Sequence, residues 1–448
     1  MGKYFGTDGF RGEAGVGLTA IHAYKIGRFL GWYYKGEGKR VKAVIGKDTR
    51  RSSYMLEYAI ASGLASSGAN AYMLHVTTTP SVSYAASEGD FDFGIMISAS
   101  HNPYYDNGIK LVNSRGEKLD GEVIDKIESY LDGSFEDKLL FAKGSEIGEI
   151  VDYVGGRNRY VGYLISLSRH SFRGYRIGLD LSNGGAWMIA KSVFDALGAK
   201  TYTVGAEPNG FNINHECGST NIENLVKLVK ENSLDIGFAF DGDADRCLAV
   251  SDKGEVINGD HILYILAREL KKQGELNENT VVTTVMSNLG LYRALDDLGV
   301  EYEKTAVGDR FVYEKMAQKG YSIGGEQSGH IILSKYATTG DGILTAIKLM
   351  EAIIEEKMSA SQLMSPVVML PQVTKNVRVE SKAAVMGNVA VQSEVKAIGE
   401  LLGRDGRILL RESGTEPVIR IMVEAQSEAE CREYAERVVV VMNREGLC

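Results

Sequence analysis

Three stretches of this chain repeat one pattern: an apolar strand, a helix-like segment, a glycine-containing turn, a second strand, another helix, and a third strand running into a polar loop. The first strands read VKAVIGKDTR (41–50), YRIGLDLSNGG (175–185) and TVVTTVMSNLG (280–290). The third strands read FDFGIMISASHNP (91–103), LDIGFAFDGDADR (234–246) and YSIGGEQSGH (321–330). Short apolar strands alternating with amphipathic helices make βαβ units on mixed or mostly parallel sheets. In such sheets ligands bind beyond the carboxyl ends of the strands. The expected fold class is therefore α/β, with three similar mixed-sheet domains. The rest of the chain differs: 407–426 reads as strand, turn, strand, 427–445 as a helix with one apolar face, and 373–380 as a further strand. That makes a C-terminal α+β domain. Boundaries near 153, 255 and 368 divide the chain into 1–153, 154–255, 256–368 and 369–448, with the polar stretch 135–155 read as a linker.

Composition narrows the function classes. The 448 residues are 44% hydrophobic and 24% charged, the balance of a soluble globular protein. Lys plus Arg is 50 against 59 for Asp plus Glu, a formal charge of -9, and nucleic-acid binding usually needs a basic face. The opening MGKYFGTDGFRGE lacks the apolar core of a signal peptide, and no apolar run reaches about 18 residues, so a cytoplasmic protein without a membrane partner is expected. Cys217, Cys247, Cys431 and Cys448 form no CxxC pair, which argues against a disulfide framework or a zinc site. Glycine is in excess at 52 residues, and the candidate loops below are about twice as rich in it as the rest of the chain.

Four loops carry the chemistry. In ISASHNPYYDNGIK, Ser100 follows an apolar strand, precedes His101, and is followed by Lys110 on the next strand. A loop serine is ordinarily a turn or cap residue. As a nucleophile it needs a base or an activated electrophile, and phosphoryl transfer is of the second kind. In FAFDGDADR, Asp241, Asp243 and Asp245 alternate in a turn, where they repel one another unless a hard divalent cation, Mg²⁺ or Ca²⁺, neutralises them; Arg246 is available for a phosphate oxygen. GGEQSGH places Glu326, Ser328 and His330 beside a Gly-Gly pair, with Asp309 in the preceding TAVGDR. A carboxylate there suits hydroxyls or an ammonium, and the histidine suits a proton shuttle or a hydrogen-bond donor. In RESGTEPVIR, the side chains of Arg411, Ser413, Thr415 and Arg420 and the backbone at Gly414 form a candidate anion nest. A fifth loop, FGTDGFRG with Arg11, also suits an anion.

Together, in this order and spacing, FGTDGFRG, SASHNP, DGDADR, GGEQSGH and RESGTEP resemble the α-D-phosphohexomutase family over essentially the whole chain. Within that family, the FGTDG opening, Gln327 and the TEP of the last loop are similar to the bacterial subgroup acting on glucosamine phosphate. The resemblance implies four domains around a central cleft: a phosphoserine, a metal-binding, a sugar-recognition and a phosphate-binding domain, in chain order. It implies an isomerase that interconverts glucosamine 6-phosphate and glucosamine 1-phosphate through a 1,6-bisphosphate, feeding UDP-N-acetylglucosamine and cell-wall precursor synthesis. Ser100 would carry the phosphoryl group and share one Mg²⁺ with Asp241, Asp243 and Asp245. Lys110 and His101 would assist proton transfer, and Arg11 and Arg246 would stabilise the group in flight. Glu326, Ser328, His330 and Asp309 would read the sugar, while Arg411, Ser413, Gly414, Thr415 and Arg420 would hold the idle phosphate. A homodimer is compatible with this reading. Three alternatives stay open: a phosphoglucomutase/phosphomannomutase of the same family, an aspartate-based Mg²⁺ phosphatase, and a non-catalytic sugar-phosphate sensor.

Overall fold

The computed structural model describes residues 2–36, 39–135, 138–413 and 417–448. They fall into two compact units, Met1–Met286 with Val300–Ser365, and Ser287–Gly299 with Pro366–Cys448. The first unit contains three sheets that repeat one core arrangement. The first strand of each repeat is parallel to both the second and the third, and the chain then doubles back in an antiparallel fourth strand. Those third and fourth strands are Phe93–Ile97 with Asp106–Asn113, Ile236–Phe240 with Cys247–Ser251, and Ile323–Gly325 with Ile331–Leu333. Every polar loop singled out after a third strand is therefore the connection of an antiparallel pair, held at both ends by ladder hydrogen bonds. The five-residue third strands, Phe93–Ile97 and Ile236–Phe240, are buried along their whole length, as expected of strands covered on both faces.

The repeats differ at their edges. The first sheet gains an N-terminal hairpin, Phe5–Gly6 and Gly9–Glu13, whose second strand pairs with Asp106–Asn113 and puts Arg11 opposite Gly108. It also gains Ile150–Asp152, parallel to Asn70–Val76, inside the stretch read as a linker. That strand alternates exposed and half-buried residues, so no apolar run marks it. The second sheet reaches beyond residue 255 through Val256–Ile257, paired with Cys247–Ser251.

Part of the glycine excess has a packing cause outside the loops. Helices Ala20–Tyr33 and Arg51–Ser66 cross at Gly27 and Gly63, where an added Cβ would lie 2.3 Å from the Ile60 carbonyl oxygen and 2.2 Å from that of Tyr24. Only glycine permits that approach of two backbones.

The second unit is a three-stranded antiparallel sheet, with Val418–Glu424 between Gln372–Arg378 and Arg407–Glu412, covered by helices Val389–Leu402 and Glu428–Arg444. Ile398, Ile419, Ile421, Cys431, Val438 and Met442 contribute to its core. Cys217 and Cys247 are likewise buried, while Cys448 is exposed. Among the described residues no helix is long and apolar enough to cross a membrane.

Candidate active site

The loop 98–105 presents Ser100 in the left-handed conformation, φ 53°, which a serine adopts only under constraint from its surroundings. Ser100 Oγ donates to Asp241 Oδ2 at 2.5 Å and lies 3.3 Å from His101 Nδ1. The nearest acceptor for the serine proton is thus an aspartate from the second sheet. Burial first, and then the charges of Arg246 and Arg11, push the His101 pKa down to about 4, so its ring is neutral at pH 7.

Asp241, Asp243 and Asp245 bring one carboxylate oxygen each to within 4.8 Å of one another, all buried. The turn that gathers them passes through Ala244 at φ 53°, a conformation that costs a non-glycine residue about 1 kcal/mol. Asp241 uses both oxygens, accepting from Ser100 and from the Arg246 backbone N–H at 3.2 Å. Asp243 Oδ2 accepts from Thr79 Oγ1 and from Lys110 Nζ, the latter at 2.7 Å. Asp243 Oδ1 and Asp245 Oδ1 are buried without a hydrogen-bond partner. Buried carboxylate oxygens are costly unless something satisfies them, and two orphaned ones in a triad fit a divalent cation. Burial and then mutual repulsion raise the pKa values of Asp241 and Asp243. Burial works the same way on Asp245, but Lys110 and His330 outweigh it and hold that carboxyl well below the usual range.

Lys110, Arg11 and Arg246 lie near the triad, and Lys118 lies one carboxylate further away. Lys110, opposite Met96 in the ladder, meets Asp243, Asp245 at 3.1 Å and Asp8 at 3.2 Å; among the described residues it makes no hydrogen bond to Ser100. Arg11 pairs with Asp8 and donates to the Ala99 carbonyl at 3.2 Å, its Nε buried and unpartnered. Arg246 Nε is also buried and unpartnered, which leaves a donor for an incoming anion. Lys118 donates to Asp309 Oδ1 at 2.8 Å and to Asp8 Oδ1 at 3.3 Å, tying the N-terminal loop to the start of helix Asp309–Lys319.

The sugar-reading candidates converge on the same region. The backbone N–H of Gly308 donates to Glu326 Oε1 at 3.1 Å, which joins TAVGDR to GGEQSGH. The backbone N–H of Gly340 donates to His330 Nε2 at 3.0 Å; this assigns the ring hydrogen to Nδ1, which is 3.8 Å from Asp245 Oδ2. Ser328 Oγ is buried without a partner. A cleft of about 700 Å³ opens here, lined among others by Asp8, Lys110, Lys118, Asp245, Asp309 and His330. Asp245 is the member of the triad on its wall, and Ser100 lies outside the lining.

In the second unit Arg411 and Arg420 face each other as paired residues of adjacent strands, and Ser413 follows with its backbone N–H on the Val418 carbonyl at 3.0 Å. Burial and the neighbouring Arg420 lower the Arg411 pKa. Gly414 and Thr415 lie outside the described residues.

Sequence reasoning missed Asp8, Asp48, Arg50, Thr79, Lys118 and Asn214. Asp8 sits inside FGTDGFRG, and Asp48 and Arg50 end the first repeat strand in KDTR, the same carboxyl-end position that drew attention elsewhere. Lys118, Thr79 and Asn214 carried no comparable signal.

Four family models cover the chain. Phosphoglucomutase/phosphomannomutase alpha/beta/alpha domain I matches residues 2–137, domain II residues 158–254, domain III residues 258–369, and the C-terminal domain residues 375–440. The chain belongs to this family, the α-D-phosphohexomutases. Among curated relatives, it is 62% identical over 448 residues to a phosphoglucosamine mutase of Lachnospira eligens (100% of this chain, 99% of the relative). It is 58% identical over 446 residues to one of Lachnoclostridium phytofermentans (100% and 99%). In fold it is similar to a phosphoglucomutase/phosphomannomutase family protein from Burkholderia thailandensis, with a TM-score of 0.81, 24% identity and coverage of 99% and 98%. It is also similar in fold to an Aspergillus fumigatus N-acetylphosphoglucosamine mutase solved with GlcNAc-6P and magnesium, with a TM-score of 0.67, 17% identity and coverage of 98% and 95%.

Proposed function

We propose that the chain is a phosphoglucosamine mutase that interconverts glucosamine 6-phosphate and glucosamine 1-phosphate, with Ser100 as the phosphoryl carrier. The observation that carries this reading is the contact of Ser100 Oγ with Asp241, within a triad whose orphaned oxygens fit a divalent cation. Held by Asp241, Asp243 and Asp245, Mg²⁺ would supply Lewis-acid stabilisation of charge on a phosphoryl oxygen.

The chain's own residues supply the rest. In the forward direction the Oγ–P bond of phosphorylated Ser100 breaks as a bond forms from phosphorus to the sugar O1, whose proton leaves to a neighbouring base. Oγ takes up a proton as it departs. The 1,6-bisphosphate then presents its other end, and the O6–P bond breaks as Oγ gives up that proton and is rephosphorylated, while O6 takes up a proton. Arg11 and Arg246, each with a buried unpartnered Nε, suit the equatorial oxygens of the group in flight. Neutral His101, beside Ser100, is the group for proton movement, and Lys110, held protonated among the carboxylates, supplies positive charge to the triad. Glu326, Ser328, His330 and Asp309 take the sugar hydroxyls, and Glu326 suits the 2-ammonium. Arg411, Ser413 and Arg420, with Gly414 and Thr415, take the phosphate that is not reacting. The four segments 1–153, 154–255, 256–368 and 369–448 correspond to these four tasks.

A coupled assay with glucosamine, glucose and mannose 6-phosphates tests the substrate. Glucosamine 6-phosphate is expected to have the highest kcat/KM. Much faster turnover of the glucose or mannose ester would assign the chain to the phosphoglucomutase/phosphomannomutase group instead.

A further inference from the structure

Behind the serine loop lies a buried ion pair to which the phosphoryl-transfer scheme assigns no task. Arg50 and Asp48 are both 0% exposed, joined by Nε and Oδ2 at 2.7 Å. A buried ion pair alone is weak evidence of any role. What distinguishes this one is where its remaining hydrogen bonds go. Arg50 Nη2 donates to the carbonyls of Ser100 and Asn102, both at 2.9 Å, and Nη1 donates to those of Pro103 and Asp106, the latter at 3.1 Å. Asp48 Oδ2 accepts from Ser98 Oγ at 2.7 Å, and that oxygen accepts from the backbone N–H of Ser100 at 2.9 Å. The pair therefore fixes both backbone polar groups of Ser100, the carbonyl directly and the N–H through Ser98.

Two elements of the second repeat complete the hold. Asn214 Nδ2 donates to the Ser100 carbonyl at 2.8 Å, and the missing side chain of Gly242 leaves room for it, since a Cβ there would lie 2.5 Å from that oxygen. A left-handed serine persists only where its surroundings over-determine it. Here Arg50 and Asn214, from two different repeats, both donate to one carbonyl oxygen.

We propose that Arg50, with Asp48, is a positioning residue for the nucleophile. It acts through the backbone of Ser100, keeping Oγ aimed at the metal triad through both phosphoryl transfers, without touching sugar or phosphate. A planar fork that reaches four carbonyls while paired to a carboxylate is a task for guanidinium, and an ammonium cannot reproduce it. The inference rests on the phosphoserine reading above.

The test compares wild type, Arg50→Ala, Arg50→Lys and Asn214→Ala with glucosamine 6-phosphate at saturating Mg²⁺, counting only folded protein by circular dichroism. For Arg50→Ala, kcat is expected to fall about 100-fold, the scale of a 1 Å misplacement, with KM within about threefold of wild type. Millimolar guanidinium chloride, far below denaturing levels, should restore part of kcat in Arg50→Ala and none in the other three. Arg50→Lys should fall between wild type and Arg50→Ala. If Arg50→Ala does not fold, Arg50→Lys and Asn214→Ala decide, each expected to lose kcat at unchanged KM. Unchanged kcat in folded Arg50 variants, or a loss confined to KM, overturns the inference and leaves the phosphoserine reading standing. Absence of turnover in wild type removes that reading and the inference with it.

Discussion

Lys110 Nζ donates to Asp243 Oδ2 at 2.7 Å, so this ammonium neutralises one of the carboxylates that suit a cation. Burial opposes its charge, but Asp243, Asp245 and Asp8 hold its pKa well above the ordinary value, and it stays protonated. Lys110→Met should leave the buried carboxylates uncompensated and cost about 3–5 kcal/mol in EDTA, the usual result of removing one partner of a buried pair. Urea unfolding with and without Mg²⁺ measures this. Added Mg²⁺ is expected to stabilise the variant more than wild type, because the cation then replaces the missing charge. An equal Mg²⁺ effect in both proteins would separate Lys110 from the metal site.

Gly242 borders the same turn. Its added Cβ would press on the Ser100 carbonyl oxygen and on Ile213 Cδ1 at 2.9 Å. Gly242→Ala should lower kcat by roughly 10- to 100-fold through displacement of the serine loop, with KM little changed. Steady-state kinetics over a range of substrate concentration checks it. A wild-type kcat would mean that the loop tolerates the shift.

Much of this site was legible in the sequence, for a physical reason. Ser100, the three aspartates and Glu326 all lie in turns that follow an apolar strand, and a polar or glycine-rich turn there is conspicuous. The repeat also exposes its own logic, because each such turn connects a parallel strand to an antiparallel one. Only the carboxyl-end position of Arg50 was legible; apart from Asp48, its partners lie about fifty residues further along the chain and are backbone carbonyls, which carry no residue-type signal. Lys118 has the same difficulty, since its carboxylate partners Asp8 and Asp309 come from the distant loops that it joins. The edge strand Ile150–Asp152 escaped because three residues, two of them exposed, are too few to show an apolar run.

Asp341 gives the clearest pH dependence away from the metal triad. It caps helix Gly342–Glu356 by accepting from the Leu344 N–H at 2.9 Å, and also accepts from the Tyr160 hydroxyl at 2.7 Å. Burial raises its pKa from 3.8 to about 6. Its stabilising effect is therefore complete below about pH 4, where both folded and unfolded chains are protonated, and is lost as the pH rises through 6. The loss amounts to roughly 3 kcal/mol. Asp341→Asn keeps the capping oxygen and removes the titration. The stability of the variant minus that of wild type, from urea unfolding, should rise by about that amount between pH 4 and pH 7. A flat difference would contradict the buried-carboxyl assignment.

The central claim is that Ser100 carries the phosphoryl group. Peptide mass analysis of the purified protein, before and after incubation with glucosamine 1,6-bisphosphate, measures it directly. One added phosphate on the peptide containing Ser100 is expected, with occupancy rising on incubation and no phosphate on Asp241, Asp243 or Asp245. Ser100→Ala should carry none and lose turnover while still being stabilised by Mg²⁺. A phosphorylated aspartate, or a Ser100→Ala protein with wild-type turnover, would contradict the account.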